Sequence, residues 1–157
     1  MASEEQVKEA IRPSGYYNLK YRRLMSVLRY LHAKDSDWTY FQKAPLEQLR
    51  RELLSIWGVG PETADSILLY AFGRPVFVVD AYTRRILTRL GRTWAASAPY
   101  AEVQRYFMAH LAEDVRLLNE YHALIVVHGK QTCRKKPLCV ACCLATRCPE
   151  GVSLLRV

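Results

Sequence analysis

Apolar residues recur at spacings of three and four through most of the chain, which is the signature of helices that bury one face. Leu24, Val27, Leu28 and Leu31 share a face of a helix predicted over 19–33, and Leu46, Leu49, Leu53 and Ile56 line one that Pro45 opens and Trp57 ends. An earlier helix is predicted from a Ser3 cap to Ile11, stopped by Arg12-Pro13-Ser14-Gly15. Asp35-Ser36-Asp37 reads as a polar loop. A helix starts at Pro61, and others are predicted over 81–90, 100–111 and 115–128. Only Val76-Phe77-Val78-Val79 departs from helical spacing, as a short apolar run that must be buried. No internal repeat or low-complexity segment interrupts this pattern, so the predicted fold class is all-α.

Two places in the pattern carry chemistry. Between the helix ending at Trp57 and the one starting at Pro61 lies Gly58-Val59-Gly60, whose bare backbone suits either a tight turn or the close approach of a phosphate oxygen to N–H groups at a helix start. Immediately after the buried run comes Asp80, at the head of the next helix. It reads as an N-cap, and a fixed, partly desolvated carboxylate is also a plausible charge for stabilising a developing cation.

Charge narrows the partners. The 157 residues carry a net charge of +8 with a pI near 9.4, which favours a polyanion. Arg84, Arg85, Arg89 and Arg92 follow Asp80 with no acid among them, and Lys130, Arg134, Lys135, Lys136 and Arg147 crowd the C-terminal part. They form either a solvated face or a surface for phosphates. The N-terminus Met-Ala-Ser-Glu-Glu has no signal-peptide character and no apolar run is long enough to span a bilayer. The expected location is cytoplasmic, nucleoid-associated in a bacterium. All five cysteines lie at or beyond position 133. An odd count argues against a disulfide framework and for metal, and spacing alone leaves zinc and an iron–sulfur cluster about equally open.

Leu54, Ile56, Gly58-Val59-Gly60, Thr63-Ala64 and Val78-Val79-Asp80 together resemble the helix-hairpin-helix DNA glycosylases of the endonuclease III type, over about Ile11 to Pro149. The resemblance implies a helical bundle with a C-terminal four-cysteine loop. It makes Asp80 the catalytic carboxylate and places Gly58, Val59, Gly60, Thr63, Arg84, Arg85, Lys135 and Lys136 on duplex DNA. Cys133, Cys139, Cys142 and Cys148 match the ligands of a [4Fe-4S] cluster, with zinc the lesser alternative and a first gap of five residues where the family has six. Cys143 is then a spare thiol. Glu62 stands eighteen positions before Asp80, where bifunctional members carry a lysine nucleophile, so base release without strand cleavage is expected.

The segment from Arg12 to Asn18, with Lys20, Arg23 and Leu24, is similar to the branch that removes 3-methyladenine and related alkylated purines. It brings Tyr16 and Tyr17 forward as pocket residues, beside Lys130 as an alternative amine or a helix-end cation. By role, 1–112 is read as the helical domain with its hairpin at 57–61, and 113–157 as the last helix and cluster loop. Family members carry further helices before the region matching Ile11, so the chain is expected to be N-terminally short and to self-associate if it is complete. Two other functions fit the same residues: an endonuclease III-like glycosylase/lyase for oxidised pyrimidines, and a non-catalytic DNA-binding module.

Overall fold

The computed structural model describes residues 2–155, and among them there is no strand. The chain forms two compact units that meet between Ala64 and Asp65.

In the first unit, α1 (Glu4–Ile11) begins with a reciprocal capping box between Ser3 and Gln6. It gives way at Pro13 to a single 3-10 turn, Arg12–Ser14. The next helix, α2 (Tyr17–Ala33), starts two residues before the predicted position. After the polar loop, Asp37 caps a short α3 (Trp38–Lys43) by accepting from the Thr39 N–H at 2.8 Å. The spacing pattern did not signal this helix. Trp, Thr, Tyr and Phe have little helix propensity, and α3 is held by packing, with the wholly buried Phe41 ringed by Tyr30, Trp38 and Tyr40. Then α4 (Leu46–Ser55) buries Leu49 and Leu53 and stops before Trp57, because Ile56 is already extended as the hairpin begins. Against these helices Glu52 accepts from the Tyr40 hydroxyl at 2.6 Å, the Tyr30 hydroxyl at 2.8 Å and Gln48 Nε2 at 3.0 Å, with the Lys34 ammonium 3.2 Å away. Burial alone would raise the Glu52 pKa, but these donors hold it down at about 2.

The helix that leaves the hairpin, α5 (Pro61–Ser66), runs into a wider π turn over Ile67–Ala71 that buries Leu68 and Leu69. The apolar run follows, and all four residues Val76–Val79 are buried as expected. It forms no strand because side chains take its backbone groups: Gln104 Nε2 donates to the Phe77 carbonyl at 2.7 Å, and the Val79 N–H donates to the Tyr100 hydroxyl at 3.2 Å. Phe77 stacks on Phe107 with centroids 3.9 Å apart, which ties the run to α7 (Tyr100–His110). Then α6 (Ala81–Arg89) packs along α8 (Val115–Gln131), and Gly129 lets them approach: a Cβ there would lie 2.5 Å from Tyr82 Cδ1. The cysteine loop and α9 (Pro149–Leu155) complete the second unit.

Candidate active site and nucleic-acid interface

The hairpin is built by one glycine with an internal reason and one without. Gly58 sits at φ +86°, and a Cβ there would lie 2.4 Å from Arg23 Cγ, so the turn itself requires glycine. Val59 is buried and its N–H donates to the Ile56 carbonyl at 3.1 Å, which anchors the turn. Gly60 has no left-handed φ, and a Cβ there would meet nothing within 4 Å. Nothing among the described residues explains that glycine. Glu62 and Thr63 follow on the exposed first turn of α5.

In the second unit Asp80 is the N-cap of α6. Its Oδ1 accepts from the Thr83 N–H at 2.7 Å and the Thr83 hydroxyl at 2.9 Å, while its side chain is only 11% exposed. The other oxygen, Oδ2, lies 3.7 Å from His122 Nε2. That nitrogen is buried and has no hydrogen-bond partner among the described residues. On the far side of the imidazole, Nδ1 and the Tyr70 hydroxyl are 2.5 Å apart. Burial pushes the His122 pKa below its ordinary value, with the Asp80 charge pulling the other way. Burial, and then the same charge, raise the Tyr70 pKa. The site is therefore a carboxylate with one oxygen locked by a helix start and the other facing a neutral imidazole. Neither His122 nor Tyr70 was singled out from the sequence; a histidine on an apolar helix face has no local mark that separates it from a core residue.

The four predicted ligand thiols, Cys133, Cys139, Cys142 and Cys148, line one cavity together with Ile86, Leu90 and Leu144. Cys143 is exposed and lines a different apolar pocket, beside Leu124 and Ile125. Donors already point at two of the four sulfurs: Arg89 Nη1 to Cys133 Sγ at 3.3 Å and the Leu144 N–H to Cys142 Sγ at 3.4 Å. Among the described residues, no three His, Cys, Asp or Glu side chains converge on a point that would hold a single metal ion.

A family model for the HhH-GPD superfamily base excision DNA repair protein matches residues 1–113. The chain belongs to that superfamily. The "Putative DNA repair glycosylase MJ1434" of Methanocaldococcus jannaschii is 48% identical over 147 residues, covering 92% of this chain and 66% of the relative. Among solved structures, a non-covalent endonuclease III–DNA complex matches 99% of this chain and 69% of its own chain, with a TM-score of 0.75 and 27% identity. The 3-methyladenine DNA glycosylase MagIII of H. pylori, bound to 1,N6-ethenoadenine, matches 82% of this chain and 64% of its own, with a TM-score of 0.63 and 26% identity. The chain spans 60–66% of the length of the first curated relatives it matches. No helix among the described residues is long and apolar enough to cross a membrane.

In this HhH-GPD chain several of the basic residues read from the sequence bond to main-chain carbonyls. Arg84 Nη1 donates to the carbonyls of Ala95 at 2.9 Å and Ala98 at 2.8 Å. Arg85 donates to the carbonyls of Cys133 at 2.9 Å and Gly129 at 2.8 Å, with its guanidinium over the Tyr82 ring. Arg89 donates to the carbonyls of Arg134 at 2.6 Å and Lys135 at 3.0 Å and pairs with Glu150. The guanidinium groups of Arg84 and Arg85, which the resemblance places on DNA, hold main-chain carbonyls in this structure. Lys135 and Lys136 remain exposed. Tyr16 is 86% exposed at φ +48°, whereas Tyr17 is half-buried under the Arg12 guanidinium. Lys130 is exposed on the last turn of α8.

Proposed function

We propose that this chain is a monofunctional DNA glycosylase that hydrolyses the N-glycosidic bond of damaged bases in duplex DNA, alkylated purines foremost. The observation that carries the reading is Asp80, a fixed and nearly buried carboxylate in a superfamily of base excision repair proteins. Breaking the bond leaves positive charge on the sugar, and a carboxylate held in a low-dielectric site stabilises that charge and accepts the proton of the attacking water. Glu62 has no amine with which to form a Schiff base, so hydrolysis is the only outcome expected. An alkylated purine is already cationic and leaves without much acid catalysis, and the likeness to MagIII supports that substrate class.

Gly58, Val59, Gly60 and Thr63 are proposed to hold a phosphate: the unexplained Gly60 leaves room for an oxygen that no side chain would tolerate. Lys135 and Lys136 add backbone contacts, and Tyr16 and Tyr17 are candidates for stacking on an extruded base. The division of roles at residue 112 belongs to this proposal as well.

Cys133, Cys139, Cys142 and Cys148 would hold a [4Fe-4S] cluster. Thiols that line one cavity, with N–H donors aimed at two of the sulfurs, support that assignment. Bound there, the cluster supplies structure, and the basic loop between the first two ligands is what it fixes.

The likeness to endonuclease III supports a second reading, a glycosylase for oxidised pyrimidines with lyase activity. Duplexes bearing a single alkylated purine or an oxidised pyrimidine separate the two, scored for strand breaks with and without hot alkali beside Asp80→Asn. Breaks on the alkylated duplex only after alkali, and lost in the variant, are expected. Breaks without alkali would overturn the monofunctional assignment. Tight binding with no release from any duplex would leave a non-catalytic DNA-binding module, and a concentration-dependent sedimentation coefficient would indicate self-association.

A further inference from the structure

Asp80 is held through one oxygen by its own helix, and what governs the other is set from α8 and the π turn. His122 is 6% exposed, and its Nε2 is a buried polar atom without a hydrogen-bond partner among the described residues, aimed at Asp80 Oδ2 from 3.7 Å. The titratable side chains facing it are Asp80 and Tyr70. The Tyr70 hydroxyl stays protonated at neutral pH and is 2.5 Å from Nδ1. If it donates there, the imidazole proton sits on Nε2 and points at the carboxylate. The opposite tautomer would set a nitrogen lone pair against a negative oxygen, in a buried site where that repulsion is poorly screened. Phe77 packs edge-on against the ring, with planes 89° apart, so the imidazole has a fixed seat.

We propose that His122 is the positioning residue of Asp80, an Nε2–H donor, oriented by Tyr70, that holds Oδ2 aimed for the reaction. Hydrogen bonds of this kind are commonly long in the free enzyme and tighten when substrate is bound. The π turn has a purpose in this arrangement: its wider winding sets Tyr70 against the imidazole. The inference rests on Asp80 being the catalytic carboxylate.

The test combines two readouts. Ring ¹⁵N NMR of the intact chain reports the His122 tautomer without any activity; the Nε2–H form is expected, with mixed tautomers in Tyr70→Phe. The second is single-turnover base release across pH for His122→Phe and His122→Gln at matched DNA affinity. Gln places an amide N–H near the Nε2 position and is expected within a few-fold of wild type. Phe is expected to be slower by at least about tenfold, with the acid limb of its profile moved to higher pH, because a carboxylate that loses a donor is harder to ionise. Should His122→Phe not fold, Tyr70→Phe is expected to show the same shift of the limb, at smaller size. An Nδ1–H tautomer, or a wild-type limb in His122→Phe while Asp80→Asn is inactive, overturns the proposal and leaves the glycosylase reading standing. No release by the wild-type chain from any duplex ends that reading instead, and the tautomer still decides whether a donor faces Asp80.

Discussion

Capping and charge are two properties of Asp80 that one substitution separates. Asparagine is as good an N-cap as aspartate, so Asp80→Asn keeps the bond to the Thr83 N–H and is expected to unfold within about 0.5 kcal/mol of wild type. Base release should fall by about a hundredfold or more, the size of effect seen when one preorganised electrostatic group is removed. Asp80→Ala loses the cap as well, and thermal unfolding should show about 1 kcal/mol of further destabilisation. The two hairpin glycines separate in the opposite sense. Gly58→Ala meets both a left-handed φ and the Arg23 side chain, and is expected to cost about 1–2 kcal/mol. Gly60→Ala has space and an ordinary φ, so an unchanged melting temperature with weakened binding to duplex DNA is the expected result; equal loss of stability at both positions would remove the argument for an outside occupant. Asp80 and the glycines were legible in the sequence because each sits at a junction that the apolar pattern marks. His122 was not, since its role depends on Tyr70 and Asp80, which are 52 and 42 positions away.

Helices were legible wherever an apolar face runs for three turns, and their starts were legible where Ser3, Asp80 or a proline stands at the cap. What the pattern could not carry was anything whose partners are main-chain groups far along the chain. The arginines of α6 show this: the row of cations without acids is visible in the sequence, whereas the acceptors of Arg85 lie 44 and 48 residues away and are carbonyls, which have no sequence signature. Arg85→Ala should therefore destabilise the fold by about 1–3 kcal/mol in chemical denaturation and leave the salt dependence of DNA binding unchanged. Lys135→Ala and Lys136→Ala are expected to do the reverse, each lowering the slope of log K against log salt by about 1 with no change in stability. The network around Glu52 gives α2, α3 and α4 a common acid sensitivity. A carboxyl held at about 2 contributes stability above its unfolded value near 4.5 and loses it as pH falls through about 2. Because Glu52 is a quarter exposed, solvent screening reduces that contribution to about 1 kcal/mol. Unfolding of Glu52→Gln between pH 6 and 2 should show a flatter dependence than wild type over that window.

For the whole molecule, the net charge of +8 sets a general attraction to polyanions, but the loop from Cys133 to Cys148 decides where its exposed lysines are held. Arg85 and Arg89 already fasten the start of that loop to α6, through the carbonyls of Cys133, Arg134 and Lys135. The middle of the loop has only short 3-10 turns and a cavity walled by four thiols. A group bound to those thiols in the folded state alone would stabilise the fold by mass action, and its loss should lower the denaturation midpoint of the second unit while the capped and packed α6 keeps its helical signal longest. The donor set makes the stoichiometry decisive. Four thiolates on separate irons predict about four irons per chain and a loss of metal in Cys133→Ser, Cys139→Ser, Cys142→Ser and Cys148→Ser. Cys143, exposed beside Leu124 and Ile125, should be replaceable by serine without any such loss. One zinc per chain held by the same four residues would keep the ligand assignment and exclude the cluster; retention of metal in Cys142→Ser together with its loss in Cys143→Ser would show that the cavity has been assigned the wrong thiol.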